Sequence, residues 1–153
     1  MLDERDVEKV LKTIHAALKL KLFRWRLDGS VNLVVQGLAT AMNDVDICTT
    51  AEGMYIFKKA LENYPQQEGY HERTGARFVQ VQVHGVSVEI LCYDNHELRM
   101  LEHAVPRQWK EMVLPVLPVP KAQEFYQQIH RLDKVSLIQA FLEEQEGKVR
   151  ILP

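Results

Sequence analysis

Cysteine is scarce: the 153-residue chain has two, Cys48 and Cys92. They fit neither a Cys-x-x-Cys pair nor a zinc spacing, and there is no disulfide framework, so a reducing, cytoplasmic setting is expected. No apolar run approaches the ~20 residues of a membrane span. The first ten residues, MLDERDVEKV, are charged and lack the apolar centre of a signal peptide. Net charge is −2, so the basic excess that marks a broad nucleic-acid surface is missing too. The six histidines follow no metal-ligand spacing. Repeats and low-complexity segments are absent. What remains is a length suited to a single domain, 1–153, able to bury roughly 70% of its unfolded surface.

Periodicity sets the expected elements. Val7, Val10, Leu11, Ile14, Leu18 and Leu22 recur at three- and four-residue spacing, which predicts an amphipathic helix of about four turns. Phe23–Leu27 alternates like a strand; Arg24 and Arg26 share one face, read as surface positions, with Trp25 in the core. Asp28-Gly29-Ser30 breaks it, and a short apolar helix follows to about Gly37. Asp44–Cys48 alternates again, with Asp44, Asp46 and Cys48 on one face and Val45 and Ile47 on the other. Thr49 or Thr50 caps a third helix ending at Tyr64-Pro65, and residues 65–76 read as a loop.

RFVQVQVHGVSVEILCY predicts a hairpin turning at His84-Gly85, with Ser87 and Glu89 facing away from Val86, Val88 and Ile90. Cys92 falls opposite Glu89, so the two sulfurs point to opposite sides of the sheet. A helical C-terminal part, about 96–150, completes the chain. It has a short helix at 96–104 and a proline-bearing edge or connector at 114–120. A helix from Pro120 through Leu132 follows, then a last one capped by Asp133 and closed by Gly147. The fold class is α/β (α+β): a mixed, twisted sheet of about four or five strands, helices mainly on one face, and a helical C-terminal extension.

Three acids stand among apolar strand neighbours: Asp44, Asp46 and Glu89. Ionised carboxylates are rarely buried without a partner, and no Lys or Arg is interleaved with these. Hard oxygen ligands suit Mg²⁺ or Mn²⁺ rather than zinc. Two aspartates at i and i+2 with an acid from a neighbouring strand can hold two such ions roughly 3.5–4 Å apart. Gly29 permits close backbone approach to an anion, and the helix start after it offers free N–H groups beside the Ser30 hydroxyl. A triphosphate between that turn and the metal ions is the expectation.

Leu27-Asp28-Gly29-Ser30, thirteen residues, then Asp44-Val45-Asp46-Ile47, with Glu89 on a later strand, resembles the signature of the nucleotidyltransferase fold of the DNA polymerase β superfamily. The longer string GSVNLVVQGL…NDVDICTTAEGMY is most similar to small stand-alone bacterial members, such as lincosamide and aminoglycoside nucleotidyltransferases. The likeness covers about residues 5–95 and extends more weakly into the tail. It implies Mg²⁺-dependent transfer of a nucleotidyl group from a nucleoside triphosphate to an acceptor hydroxyl, with release of pyrophosphate.

In that reading Gly29 and Ser30 contact the β- and γ-phosphates. Asp44 and Asp46 bind both metals. Glu89 binds the metal that activates the acceptor and serves as its base. Asn32, in the first turn of the helix, touches phosphate or ribose. Asp28 departs from the pattern, since an acid there repels a triphosphate unless it points away. No basic residue adjoins Asp44, so cations must arrive from elsewhere; Tyr126, His130, Arg131 and Lys134 are the candidates for closing over the nucleotide. The acceptor is a small molecule, a protein side chain or an RNA end. The rival readings are a non-catalytic nucleotide- or metal-binding, antitoxin-like module on the same fold, and an Mg²⁺-dependent phosphodiesterase.

Overall fold

The computed structural model describes residues 1–151, with side chains through Val149. Positions 152–153 of the expected domain lie outside the described residues. A five-stranded sheet is built from β1 (Trp25–Asp28), β2 (Val45–Thr49), β3 (Gln66–His71), β4 (Ala76–Val83) and β5 (Val86–Tyr93), in the order β1-β2-β5-β4-β3. The β2–β5 pair is parallel and the other pairs are antiparallel, so the sheet is mixed as expected. The β4–β5 turn falls on His84-Gly85, both at positive φ (52° and 76°), as a two-residue hairpin requires.

Both faces of the sheet carry helices, contrary to the expectation of mainly one. α1 (Glu4–Ala17) and α3 (Ala51–Ala60) bury Val7, Leu11, Ile14 and Phe57 against Val45, Ile47, Val88 and Ile90. α5 (Val119–Gln128) and α6 (Leu132–Ile151) return over the opposite face, where Phe125, Tyr126 and Ile138 meet Cys48, Leu91 and Tyr93. α2 (Gly29–Val35) sends Val31 and Val35 to the first core and Leu33 to the second. Cys48 and Cys92 are both free, one in each core, as the alternation requires. Burial pushes the Cys48 thiol up to about 12.

Several boundaries differ from the sequence reading. α1 opens with a capping box between Asp3 and Asp6 but stops at Ala17; Leu20 turns to φ 72° and Leu22 is 99% exposed. α3, capped by Thr50, ends at Ala60. Residues 66–71 form the edge strand β3 rather than a loop; exposed on nearly every side chain, it carries no alternating apolar signal. The C-terminal part is not wholly helical. After α4 (His96–Arg99) and a 3-10 turn, β6 (Val105–Trp109) and β7 (Met112–Val116) form a separate two-stranded ribbon, with Pro106 opposite Pro115. α5 ends at Gln128, four residues early, and α6 runs on past Gly147; Asp133 is the second residue of α6 and pairs with Arg131.

Arg26 is not a surface residue: it is fully buried. Its guanidinium donates to the carbonyls of Arg99 (2.7 Å), Leu98 (3.2 Å) and Leu27 (3.0 Å) and to Asp28 Oδ1 (3.2 Å). The C-terminal end of α4 therefore supplies the acceptors that a buried cation needs. No helix among the described residues is long and apolar enough to cross a membrane.

Asn32 ties the connector before α5 to α2. Its amide donates to the Leu117 carbonyl (2.9 Å) and accepts from the Leu117 N–H (2.9 Å), and all three groups are buried. Gln36 also donates to that carbonyl, at 2.8 Å. Asn32→Ala therefore strands the Leu117 N–H while Gln36 still serves the oxygen. The expected loss is about 1–3 kcal/mol of unfolding free energy. Urea denaturation checks this, and an unchanged midpoint contradicts the clamp.

Candidate active site

Strand register brings the acids together. Asp28 on β1 lies opposite Asp46 on β2, and Asp46 lies opposite Glu89 on β5. Residues opposite one another share a face, so all three point toward α5 and α6. Asp44 stands one position before β2. Ligand oxygens of Asp44, Asp46 and Glu89 lie within 4.8 Å of one another. Burial, then the charge of Glu89, raises the Asp44 pKa. Burial, then Asp44, Asp28 and Glu89, pushes Asp46 well above the usual carboxylate range. Asp46 Oδ1 is buried with no hydrogen-bond partner among the described residues. An orphaned buried oxygen inside a cluster of hard donors fits a divalent cation of the Mg²⁺ or Mn²⁺ kind.

Asp28 does not add a free charge beside the turn. It accepts from Arg26 and, at 2.6 Å, from the Tyr93 hydroxyl. Gly29 has φ +62°, and a Cβ there would sit 2.5 Å from Asp46 Oδ2. The glycine is thus required twice, for its backbone conformation and for the space Asp46 occupies. Ser30 follows, and its Oγ accepts from Lys134 Nζ at 3.2 Å. Arg131 makes a two-pronged bond to Asp133, 3.0 Å on each side. Burial, then the nearby Arg131 charge, lowers the Lys134 pKa.

These groups line one open cavity of about 530 Å³. Of the residues named from sequence, Gly29, Ser30, Asp44, Asp46, Glu89, Tyr126, Arg131 and Lys134 are in its wall. Arg131 and Lys134 bring two basic side chains into the wall from the α5–α6 junction. Asn32 is not in the wall; both polar atoms of its amide serve Leu117, so the proposed phosphate or ribose contact is corrected. His130 is also outside it, exposed and at φ 60°.

Among the wall residues that went unnoticed in the sequence are His71, Arg73 and Thr74, at the end of β3 and in the turn after it. His71 stacks on Phe78 with ring centroids 4.3 Å apart, and its Nε2 contacts Glu89 Oε1. They were hidden because a polar edge strand looks like a loop. The available signal was Thr74-Gly75 directly before the alternating run 76–83, which marks the return leg of a hairpin.

The model of the aminoglycoside-2''-adenylyltransferase family matches residues 10–134, a span that holds every carboxylate of the site. The chain belongs to this family. It is therefore an enzyme of the nucleotidyltransferase class. No curated protein matches the chain. Solved structures share the fold. A Thermotoga maritima protein described as a nucleotidyltransferase is 21% identical, with TM-score 0.73 over 94% of this chain and 96% of its own. ANT(2'')-Ia in complex with adenylyl-2''-tobramycin is 8% identical, with TM-score 0.58 over 95% and 92%. The lincosamide antibiotic adenylyltransferase LnuA, lincomycin-bound, is 12% identical, with TM-score 0.58 over 90% and 97%.

A family member with this cluster carries a pH signature. The unfolded Asp46 titrates near about 3.9, and the folded one higher. Between those values the native state holds a proton the unfolded chain has released, so stability falls as pH rises through the folded pKa. Asp46→Asn removes that penalty. The melting temperature of Asp46→Asn minus that of wild type is expected to increase from pH 4 to pH 8 without divalent cations. Added Mg²⁺ or Mn²⁺ should raise wild type at neutral pH and leave the variant unmoved. A difference independent of pH, with equal cation effects on both proteins, contradicts the assignment.

Proposed function

We propose that this chain is a metal-dependent nucleotidyltransferase that moves a nucleoside monophosphate from a nucleoside triphosphate to an acceptor hydroxyl and releases pyrophosphate. The observation that carries the proposal is the convergence of Asp44, Asp46 and Glu89, with ligand atoms within 4.8 Å, across the same cavity from the Gly29-Ser30 turn. Asp44, Asp46 and Glu89 would hold the ions. An Mg²⁺ or Mn²⁺ ion held there would offset the polyphosphate charge and lower the pKa of the acceptor hydroxyl.

The remaining work falls to this chain's own groups. Gly29, Ser30 and the start of α2 receive the β- and γ-phosphates, and Lys134 and Arg131 offset their charge. Glu89, oriented by His71, takes the acceptor proton as the acceptor oxygen bonds to the α-phosphorus. The bond from that phosphorus to pyrophosphate breaks on the far side. Positioning and charge stabilisation supply most of the acceleration in such a displacement.

The cavity volume of about 530 Å³ is in the range of small-molecule sites. Two fold neighbours are named with antibiotics or their adenylylated product. Together these favour a small hydroxylated acceptor over a protein side chain or an RNA end. The non-catalytic reading loses its main support, because Asp28 is paired with Arg26 and Tyr93 and the missing cations are supplied by α6 and the residue before it. The free, buried thiols suit a cytoplasmic enzyme.

Incubation with Mg²⁺, each labelled nucleoside triphosphate and a panel of hydroxyl acceptors should give labelled acceptor and one pyrophosphate per transfer. Asp44→Asn is expected to lower that rate about a hundredfold or more. Lys134→Ala should raise KM for the triphosphate roughly tenfold with a smaller effect on kcat. Triphosphate binding without pyrophosphate release on any acceptor selects the non-catalytic reading. Unchanged MgATP binding by Asp44→Asn shows the metal site to be elsewhere.

A further inference from the structure

The order of the strands divides the cavity. Asp44, Asp46 and Glu89 occupy the middle of the sheet, on and beside β2 and β5. The Gly29-Ser30 turn, with Lys134, borders the β1 side. The β3 side is bordered by His71, Arg73 and Thr74. A triphosphate laid on the β1 side therefore leaves the β3 side for the acceptor, next to Glu89, and this placement rests on the function proposed above.

Charge on that side is the informative feature. The cavity wall contains four carboxylates: Asp28, Asp44, Asp46 and Glu89. Asp28 is taken up by Arg26 and Tyr93, and the other three form the cation cluster. No acid of the wall is left over to receive an ammonium group. The neighbouring acids are directed elsewhere: Asp94 Oδ2 accepts from the Tyr70 hydroxyl, and Glu72 is not in the wall. Arg73, by contrast, is exposed in the wall and makes no ion pair or hydrogen bond among the described residues. An aminoglycoside carries several ammonium groups and needs carboxylates to receive them. This wall offers a guanidinium instead, a group suited to two-pronged recognition of carboxylate or phosphate.

We propose that the acceptor is an anionic polyol, bearing a carboxylate or phosphate near its reactive hydroxyl, and that Arg73 holds that anionic group on the β3 side of the cavity. Arg73 is thus a specificity residue. It selects the acceptor without touching the transferred phosphorus, and it disfavours the polycationic acceptors named in the family description.

The test is calorimetric titration of the full-length protein saturated with Mg²⁺ and a non-hydrolysable ATP analogue, which occupies the phosphate-binding side. Failure of the analogue to bind with Mg²⁺ overturns the nucleotidyltransferase reading itself and, with it, this proposal. With the analogue bound, four probes are compared: glucose, glucose 6-phosphate, gluconate as its carboxylate counterpart, and tobramycin. The phosphate or the carboxylate sugar is expected to bind roughly ten- to a hundredfold more tightly than glucose, with tobramycin no tighter than glucose. Arg73→Glu should abolish the preference for anions, leave analogue affinity unchanged and improve tobramycin binding. Equal affinity for all four probes, including no binding by any, overturns the proposal, as does tighter binding of tobramycin than of glucose by wild type. An anion preference that survives Arg73→Glu overturns the role of Arg73. A loss of analogue affinity in that variant overturns the division of the cavity, because Arg73 would then serve the triphosphate.

Discussion

Mutual repulsion among partly buried carboxylates is the constraint on which the rest of the site depends. Asp44, Asp46 and Glu89 are held close by a parallel strand pair that cannot spread without losing its ladder, and Asp46 has a buried oxygen with nothing to bind among the described residues. A core gains nothing from such a cluster, because desolvated like charges oppose folding. A proton on Asp46, or a cation of the kind proposed above, relieves it. Neighbouring features follow from this. Gly29 lacks a side chain because Asp46 fills the space, and the cluster opens onto a cavity of about 530 Å³.

The fourth acid shows how the fold limits that repulsion. Asp28 shares the face of Asp46 and lies directly opposite it, yet Arg26 and Tyr93 engage both of its oxygens. Arg26 is in turn fixed by carbonyls at the end of α4, and its guanidinium sits 5.6 Å from the centre of the Phe125 ring on α5. One buried cation thereby links β1, α4 and α5, and the helices that roof the cavity are anchored to the strand that precedes the Gly29-Ser30 turn. Removing a partner from such a network strands the others, so its parts act as a unit.

Much of this was legible in the sequence, for physical reasons. Alternation placed Asp44 and Asp46 on one face and Glu89 on the matching face of a later strand, because buried strands leave a period-2 record. The hairpin at His84-Gly85 was marked by its turn residues. β3 left no such record: an edge strand bathed in solvent has no apolar alternation, and with it His71 and Arg73 were lost from view. The role of Asn32 was also hidden, since its partner Leu117 lies 85 positions away and is met through backbone atoms. Arg26 looked like a surface residue because the carbonyls that satisfy it come from residues 98 and 99. Arg131 and Lys134 reach the cavity wall across the same kind of distance. Local patterns carry the acids, and long-range packing decides what surrounds them.

The most direct measurement is an anomalous diffraction map from crystals soaked with Mn²⁺ and a non-hydrolysable ATP analogue. The account predicts manganese density bounded by Asp44, Asp46 and Glu89, with the polyphosphate running from it toward Gly29, Ser30 and Lys134. Manganese absent from that cluster, or a polyphosphate lying instead along His71 and Arg73, would contradict it.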